Sequence, residues 1–195
     1  MASHRPIGTA RKAVPLLLAA WLAACAGDPM VAFDLAPAAS APHRALRAQV
    51  HVLDPVATSD LDSERILVRT GPDGLAVMAG ARWTAPLPQL LQARLNDSLQ
   101  SAQGTTAAGE SGVAAKDYNL ETELRAFELD ADQKQVAVEI VVKLVSSRDG
   151  HIVAVRTFKN SAPVASTDVH VVTQAMSAAL SVLMGQIVAF VAASA

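Results

Sequence analysis

The residue with the clearest chemical potential is Cys25, the only cysteine in the chain. A single thiol cannot form an intramolecular disulfide, and one thiol is too few to hold a metal cluster. Cys25 directly follows Leu22, Ala23 and Ala24 at the end of an apolar run. The function of this thiol therefore has to be inferred from its position in the chain, because the sequence offers no second cysteine and no neighbouring base.

The segment before Cys25 is typical of an export signal. Residues 1–12 carry Arg5, Arg11 and Lys12 and no acid, and residues 14–24 are apolar with small side chains at the end. A basic start, an apolar stretch and a small-residue cleavage site together predict a secretory signal peptide. The apolar stretch is too short for a membrane span, which needs about 20 residues. A buried core cysteine and an ordinary signal with a coincidental cysteine remain the alternatives.

The residues Leu22-Ala23-Ala24-Cys25 match the lipobox of bacterial lipoproteins. This resemblance implies transfer of a diacylglyceryl group to the thiol, cleavage between Ala24 and Cys25, and acylation of the new amino terminus. Two or more acyl chains hold a protein stably on its membrane. The residue after the cysteine is Ala26, and not the Asp that tends to retain proteobacterial lipoproteins in the inner membrane. The resemblance therefore implies an anchor in the outer membrane, on its periplasmic face.

The other residues that could do chemistry lack catalytic or metal-binding spacing. No two of the histidines after Cys25 are spaced as HxH or HxxxH; these are His43, His51, His151 and His170. Asp60, Asp62 and Glu64 lack the glycine and distal glutamate of a calcium loop, and no phosphate-binding or GxSxG motif occurs. We expect no enzyme, metal or cofactor. A site assembled in space stays open, because carboxylate pairs such as Glu123 and Glu128 are recognised only by their separation.

Composition limits the partners and the number of domains. Removing 24 residues leaves 171, the size of one domain. The removed segment contains three of the 16 basic and none of the 18 acidic residues, so the remaining chain carries a net charge of −5. With no basic cluster and few aromatic residues after Cys25, the sequence gives no indication of nucleic-acid binding.

Alternation of apolar and polar residues predicts seven strands. They cover residues 31–35, 45–56, 65–70, 75–78, 117–129, 136–145 and 152–158. Gly71-Pro72-Asp73-Gly74 predicts a hairpin turn between the third and fourth strands, and Arg148-Asp149-Gly150 predicts another before the last strand. The last three strands should form an antiparallel meander.

Two amphipathic helices are predicted. The first has Thr84 as its N-cap and Pro86 in its first turn, and it ends near Ala102; its apolar stripe is Leu87, Leu91, Leu95 and Leu99. The second covers residues 168–193, with Thr167 or Asp168 as its cap. A membrane span is an alternative for this second helix, although polar residues recur along it. The predicted fold class is α/β (α+β): a mixed, largely antiparallel sheet with two helices packed on it in a single domain.

The order of several short motifs adds a family resemblance. Phe33-Asp34-Leu35 comes first, followed by Arg82-Trp83-Thr84-Ala85-Pro86-Leu87 before a helix, then residues 118–127 (YNLETELRAF), and finally Arg156-Thr157-Phe158. In this order they resemble the ABC-type transport auxiliary lipoprotein family, the PqiC-like periplasmic lipoproteins encoded with MCE-domain transport systems. The chain departs from the commoner aromatic-rich first strand, with Val31 and Ala32 ahead of Phe33.

The resemblance implies a non-enzymatic component of an ABC/MCE transporter that docks the assembly at the outer membrane. Its partners would be an MCE-domain protein and, through it, an ABC permease and ATPase, and its cargo would be phospholipid or another hydrophobic molecule. A homo-oligomer would suit a ring-forming MCE partner. Residues 1–24 would be the signal peptide, 25–30 the lipidated tether and 31–195 the domain. The alternatives are an outer-membrane assembly lipoprotein of the lipopolysaccharide-translocon type and an exported enzyme.

Three residues of the motif before the first helix are candidates for structural or partner contacts: Arg82, Trp83 and Pro86. An indole at the start of a helix commonly packs under the first turn, which makes a structural role the simpler interpretation for Trp83. Arg65 and Arg69 project from one side of a predicted strand, and we interpret them as part of a solvated face.

Overall fold

The computed structural model describes residues 30–37, 46, 48–103 and 117–195, which form one mixed sheet and two helices. The strands are β1 (Val31–Phe33), β2 (Gln49–Val52), β3 (Val56–Ala57), β4 (Arg65–Arg69), β5 (Leu75–Trp83), β6 (Asp117–Asp130), β7 (Gln135–Ser146) and β8 (Ile152–Pro163). The helices are α1 (Leu87–Gln103) and α2 (Val169–Ser194).

The sheet is built around β6, which has 14 residues. One edge of β6 pairs in parallel with β2, β3 and β4, each along a different part of its length. The other edge pairs antiparallel with β7, and β7 pairs antiparallel with β8. The main strand order is β1-β5-β4-β6-β7-β8. The strands that come first and last in the chain, β1 and β8, therefore lie at opposite edges of the sheet.

Alternation along the strands separates a covered face from an uncovered face. On β6, Leu120 and Leu124 are buried under the helices, whereas Glu121 and Glu123 project from the other side. Successive side chains of a strand point to opposite faces, so β7 and β8 continue this division. None of the described elements packs on the face that carries the two glutamates.

The helices supply the other half of the core. Four leucines of α1 are at most 2% exposed; they are Leu87, Leu91, Leu95 and Leu99. Helix α2 begins after Asp168, whose carboxylate accepts hydrogen bonds from the backbone N–H groups of His170 at 2.9 Å and Val171 at 3.4 Å. This is the usual way to satisfy orphan donors at a helix start. Asp168 is thus the N-cap of α2.

Helix α2 is long and apolar enough to cross a membrane, with a mean hydropathy of 1.9 over its best 18 residues. Half of that window is buried inside the protein, where the helix packs on β7 and β8. Eleven of its residues are buried, including Met176, Leu183 and Ile187. Burial in the domain core accounts for its hydropathy, and this supports a core helix over a membrane span.

The predicted fold class is confirmed: a mixed sheet carries two helices in one domain. Three local predictions differ. β5 continues to Trp83 instead of ending at Met78, because Gly80, at a φ of 71°, accommodates an irregularity in the pairing with β4. Of the predicted strand 45–56, residues 49–52 form β2 and Val56 begins β3, whereas residues 53–55 belong to no strand and residues 45 and 47 lie outside the described residues. Thr84 is not the N-cap of α1, since the helix begins at Leu87 and the carbonyl of Pro86 accepts the first helical N–H groups.

Candidate functional site

The predicted lipidation and cleavage site, Cys25 and Ala24, lies outside the described residues. The described chain begins at Met30, which leads directly into β1 at the edge of the sheet. Met30 is 60% exposed and Val31 is 47% exposed. Four residues, Ala26 to Pro29, thus separate the predicted anchor, Cys25, from the first described residue of the domain.

Trp83 lies at the junction of β5, β1 and α1 and is fully buried at 0% exposure. Its ring meets the ring of Phe127 on β6 edge to face, with centroids 5.7 Å apart. Its backbone N–H donates to the carbonyl of Glu64 at 2.7 Å. The indole is therefore a core residue, and it has no surface to offer a partner.

The residues after Trp83 fix the start of α1. The N–H of Thr84 donates to the carbonyl of Phe33 at 2.8 Å, and the N–H of Leu87 donates to the carbonyl of Ser63 at 3.1 Å. These bonds tie the end of β5 to β1 and to the loop before β4. The Arg-Trp-x-x-Pro-Leu motif therefore has a structural explanation, since the backbone N–H groups of Trp83, Thr84 and Leu87 each have a defined acceptor.

Arg82 and Pro86 differ from Trp83 in exposure. The guanidinium of Arg82 pairs with the carboxylate of Glu64, and the two side chains are 43% and 42% exposed. Pro86 is half-buried, and its carbonyl accepts from the N–H of Gln89 at 3.0 Å. Of the three motif residues, Arg82 alone presents a charged group to solvent.

The uncovered face of the sheet carries paired charges. Lys159 and Glu139 are 2.8 Å apart across β8 and β7, and Arg125 and Glu123 are 3.0 Å apart on β6. Cross-strand and neighbouring pairs of this kind stabilise a sheet modestly. Sequence reasoning anticipated the charges on this face but not their partners.

The most buried ion pair joins Arg69 on β4 to Glu128 on β6. The Nε of Arg69 lies 2.5 Å from Oε1 of Glu128, and its second guanidinium nitrogen donates to Oε2 at 3.0 Å. The Glu128 side chain is only 10% exposed, and the Arg69 side chain is 38% exposed. Arg65 is exposed and Arg69 is partly exposed, but Arg69 also has a partner, because parallel pairing of β4 with β6 brings a carboxylate from 59 residues away.

These ion pairs shift the pKa values of charged side chains on this face. The hydrogen bond and the charge of Glu128 raise the pKa of Arg69, and the hydrogen bond from Arg125 lowers the pKa of Glu123. Both shifts favour the charged forms that the pairs need. Glu123 and Glu128 are each neutralised by an arginine, and this does not favour the acid–base role left open for them as a carboxylate pair.

Two open clefts lie on the surface of the described domain, and no hydrogen bond in either joins a hydroxyl group to a histidine or a carboxylate. One of about 320 Å³ lies between β2 and α1 and is lined mainly by amides and a histidine. Its polar lining consists of Gln49, His51, Asn96, Gln100 and Gln103. Among residues 30–37, 46, 48–103 and 117–195, no three His, Cys, Asp or Glu side chains are grouped so that they could hold a metal ion.

The chain matches the family model described as "ABC-type transport auxiliary lipoprotein component" over residues 33–188. This match begins at the last residue of β1 and ends within α2, so it includes α1, most of α2 and all of β2 to β8. A comparison with curated proteins finds no significant match.

Solved structures share the fold. A Xanthomonas campestris protein assigned to the family model DUF330 is 29% identical, with a TM-score of 0.67 over 86% of this chain and 94% of that one. An uncharacterized protein is 13% identical, with a TM-score of 0.66 over 83% of this chain and 97% of its own. The hypothetical protein CT253 of Chlamydia trachomatis is 12% identical, with a TM-score of 0.53 over 76% of this chain and 97% of its own. The last two likenesses concern the fold alone.

Proposed function

The chain belongs to the family of ABC-type transport auxiliary lipoprotein components, and from this premise we propose that it is a non-enzymatic, lipid-anchored component of an MCE-type ABC transporter. It docks the assembly at the outer membrane for transport of phospholipid or another hydrophobic molecule. The observation that carries the proposal is the family match over residues 33–188. Membership of a lipoprotein family places the protein in the cell envelope, attached to a membrane.

The proposed anchor is the lipidated Cys25, exposed after cleavage at Ala24. Residues 1–24 are then the signal peptide, residues 25–30 the tether and residues 31–195 the domain. Two features support this division: the family match begins at residue 33, and β1 begins at Val31. Ala26 supports release to the outer membrane, on the reasoning given for the lipobox.

The proposed partners are an MCE-domain protein and, through it, the permease and ATPase, with a homo-oligomer as a compatible arrangement. A docking role agrees with a domain whose described surface offers exposed apolar side chains and paired charges. Within the motif before α1, only Arg82 offers a charged side chain for a partner contact, since Trp83 is buried.

Affinity purification of the lipidated protein from membranes, with partners identified by mass spectrometry, tests the partner. We expect the MCE-domain protein to be recovered, and Arg82→Ala should fold but recover less of it if that residue contacts the partner. Recovery of a β-barrel protein without an MCE protein would refute the proposal and favour the outer-membrane assembly role.

Cys25→Ser tests the anchor, because serine cannot accept the thioether-linked diacylglyceryl group. We expect this variant to leave the outer-membrane fraction and to keep its first 24 residues or appear in the soluble fraction. A variant that still lost those residues and still fractionated with the outer membrane would contradict lipidation at Cys25.

A further inference from the structure

The edge of the sheet formed by β1 and β5 is unusually apolar. Met30, Val31, Leu75 and Val77 lie along it and are between 44% and 60% exposed. Residues 75–81 of β5 contain no charged or polar side chain. We call Met30, Val31 and residues 75–80 the β1–β5 edge.

Part of this edge also lacks a strand partner. β1 pairs only with Ala81, Arg82 and Trp83, so none of the described strands pairs with the outer side of residues 75–80. Proteins usually protect such an edge with charges, proline or a covering element. An exposed edge with neither charge nor cover is an aggregation hazard unless something in the cell covers it.

The anchor places one particular surface beside this edge. This step rests on the proposed lipidation of Cys25. Four residues lie between Cys25 and Met30, so the two are joined by five Cα–Cα steps, which reach about 17 Å when the chain is extended. Met30 must therefore lie within about 17 Å of the lipid surface, and the rest of the β1–β5 edge runs beside it for about 20 Å.

The opposite edge is much farther from the anchor. β8 is separated from β1 by five strand spacings in the sheet order, which is about 24 Å at the usual spacing between strands. β8 also has exposed apolar residues, Ile152, Val153 and Val155. Two basic residues, Arg156 and Lys159, follow them along the same strand. Distance from the anchor and charge thus distinguish the two edges.

We propose that the β1–β5 edge is a membrane-contact surface, which lies on the phospholipid surface that holds the Cys25 anchor. Exposed Met30, Leu75 and Val77 enter the boundary between headgroups and acyl chains, as the apolar face of an interfacial element does. Because residues 75–81 carry no basic side chain, the contact requires no anionic lipid. The domain then contacts the membrane through the β1–β5 edge, and β8 and the uncovered face remain accessible for binding protein partners.

Quenching by brominated lipid tests this contact on the lipidated mature protein, reconstituted into phosphatidylcholine vesicles with and without dibrominated acyl chains. A tryptophan is added by Val77→Trp, and Val155→Trp on β8 is the matched control, since the two valines are 48% and 54% exposed. Buried Trp83 contributes the same background fluorescence in both variants. We expect quenching of the tryptophan at position 77 to be about threefold stronger than at position 155, since interfacial groups sit within about 10 Å of the acyl chains.

Leu75→Trp provides a second variant if Val77→Trp fails to fold. Equal quenching at positions 75 and 155 would overturn the inference while leaving the anchor intact. A concentration-dependent shift of the emission from position 77 in detergent, without quenching in vesicles, would show a second copy on this edge and would also overturn it. The mass of the amino-terminal peptide reports separately on the acyl chains, so failure of the anchor is recognised independently.

Discussion

Trp83 packs at the junction of β5, β1 and α1, so its removal should destabilise the fold. Trp83→Ala removes a fully buried indole that meets Phe127 edge to face. We expect the free energy of unfolding to fall by about 4 kcal/mol, as for other large-to-small substitutions in cores. Urea denaturation measures the change. Arg82→Ala is the control, because the exposed pair with Glu64 should contribute at most about 1 kcal/mol.

Substitution of Thr122 on β6 should stabilise the fold instead of destabilising it. Its side chain faces the core at 3% exposure, and its hydroxyl has no hydrogen-bond partner among the described residues. Thr122→Val keeps the shape and removes an unsatisfied polar group, so we expect a gain of about 1 kcal/mol in unfolding free energy. The control is Thr173→Val, since that hydroxyl donates to the carbonyl of Val169 at 2.8 Å. A loss of stability in Thr122→Val would indicate a partner for the hydroxyl.

Helix α2 can be tested as an element by placing a lysine on either side of it. Val182 is 52% exposed and Leu183 is 0% exposed. We expect Val182→Lys to change the unfolding free energy by less than about 0.5 kcal/mol, and Leu183→Lys to destabilise by about 4 kcal/mol or more. Circular dichroism during urea titration measures both. Comparable impairment by the two lysines would be the behaviour of a membrane span.

The elements differ in how well the sequence predicts them. The long strands and the hairpin at Asp149-Gly150 follow from alternation and turn chemistry, which are local properties. β5 was underestimated because Ala79, Gly80 and Ala81 show no strand pattern, and its full length depends on pairing with β4 and β1. The parallel pairing of β2 and β4 with β6 joins distant parts of the chain, for which a single sequence carries no local signal.

The same limit applies to the candidate site. The role of Trp83 could be predicted from its position before a helix, since large aromatic groups at such junctions pack inward. The Arg69–Glu128 pair could not, because its two residues are brought together only by the sheet topology. Cys25 and Ala24 stay predictions, since they lie outside the described residues.

The whole molecule should lose stability in acid through its carboxylates. The hydrogen bond from Arg125 lowers the pKa of Glu123, and hydrogen bonds from Ser146 and the backbone N–H of His151 lower the pKa of Asp149. A carboxylate whose pKa is lowered by folding stabilises the folded state above its unfolded pKa, near pH 4. That contribution disappears as the pH falls through the lower folded pKa.

Arg125→Gln isolates one of these contributions. The substitution removes the cation that favours the charged form of Glu123. We expect the unfolding free energy of the variant to fall less steeply between pH 5 and pH 3 than that of the natural protein, with the difference reduced at high salt. Urea denaturation at several pH values measures the slopes. Identical slopes would show that Arg125 does not set the pKa of Glu123.

The place of β6 in the sheet also bears on how the chain reaches its fold. β6, β7 and β8 follow one another along the chain and pair as neighbours, so they need only short loops to close. β2 and β3 pair only with β6, more than 60 residues later. Local pairing forms faster than distant pairing. The carboxy-terminal meander is thus the natural nucleus, and a chain delivered amino terminus first must wait for β6 before β2 and β3 can dock.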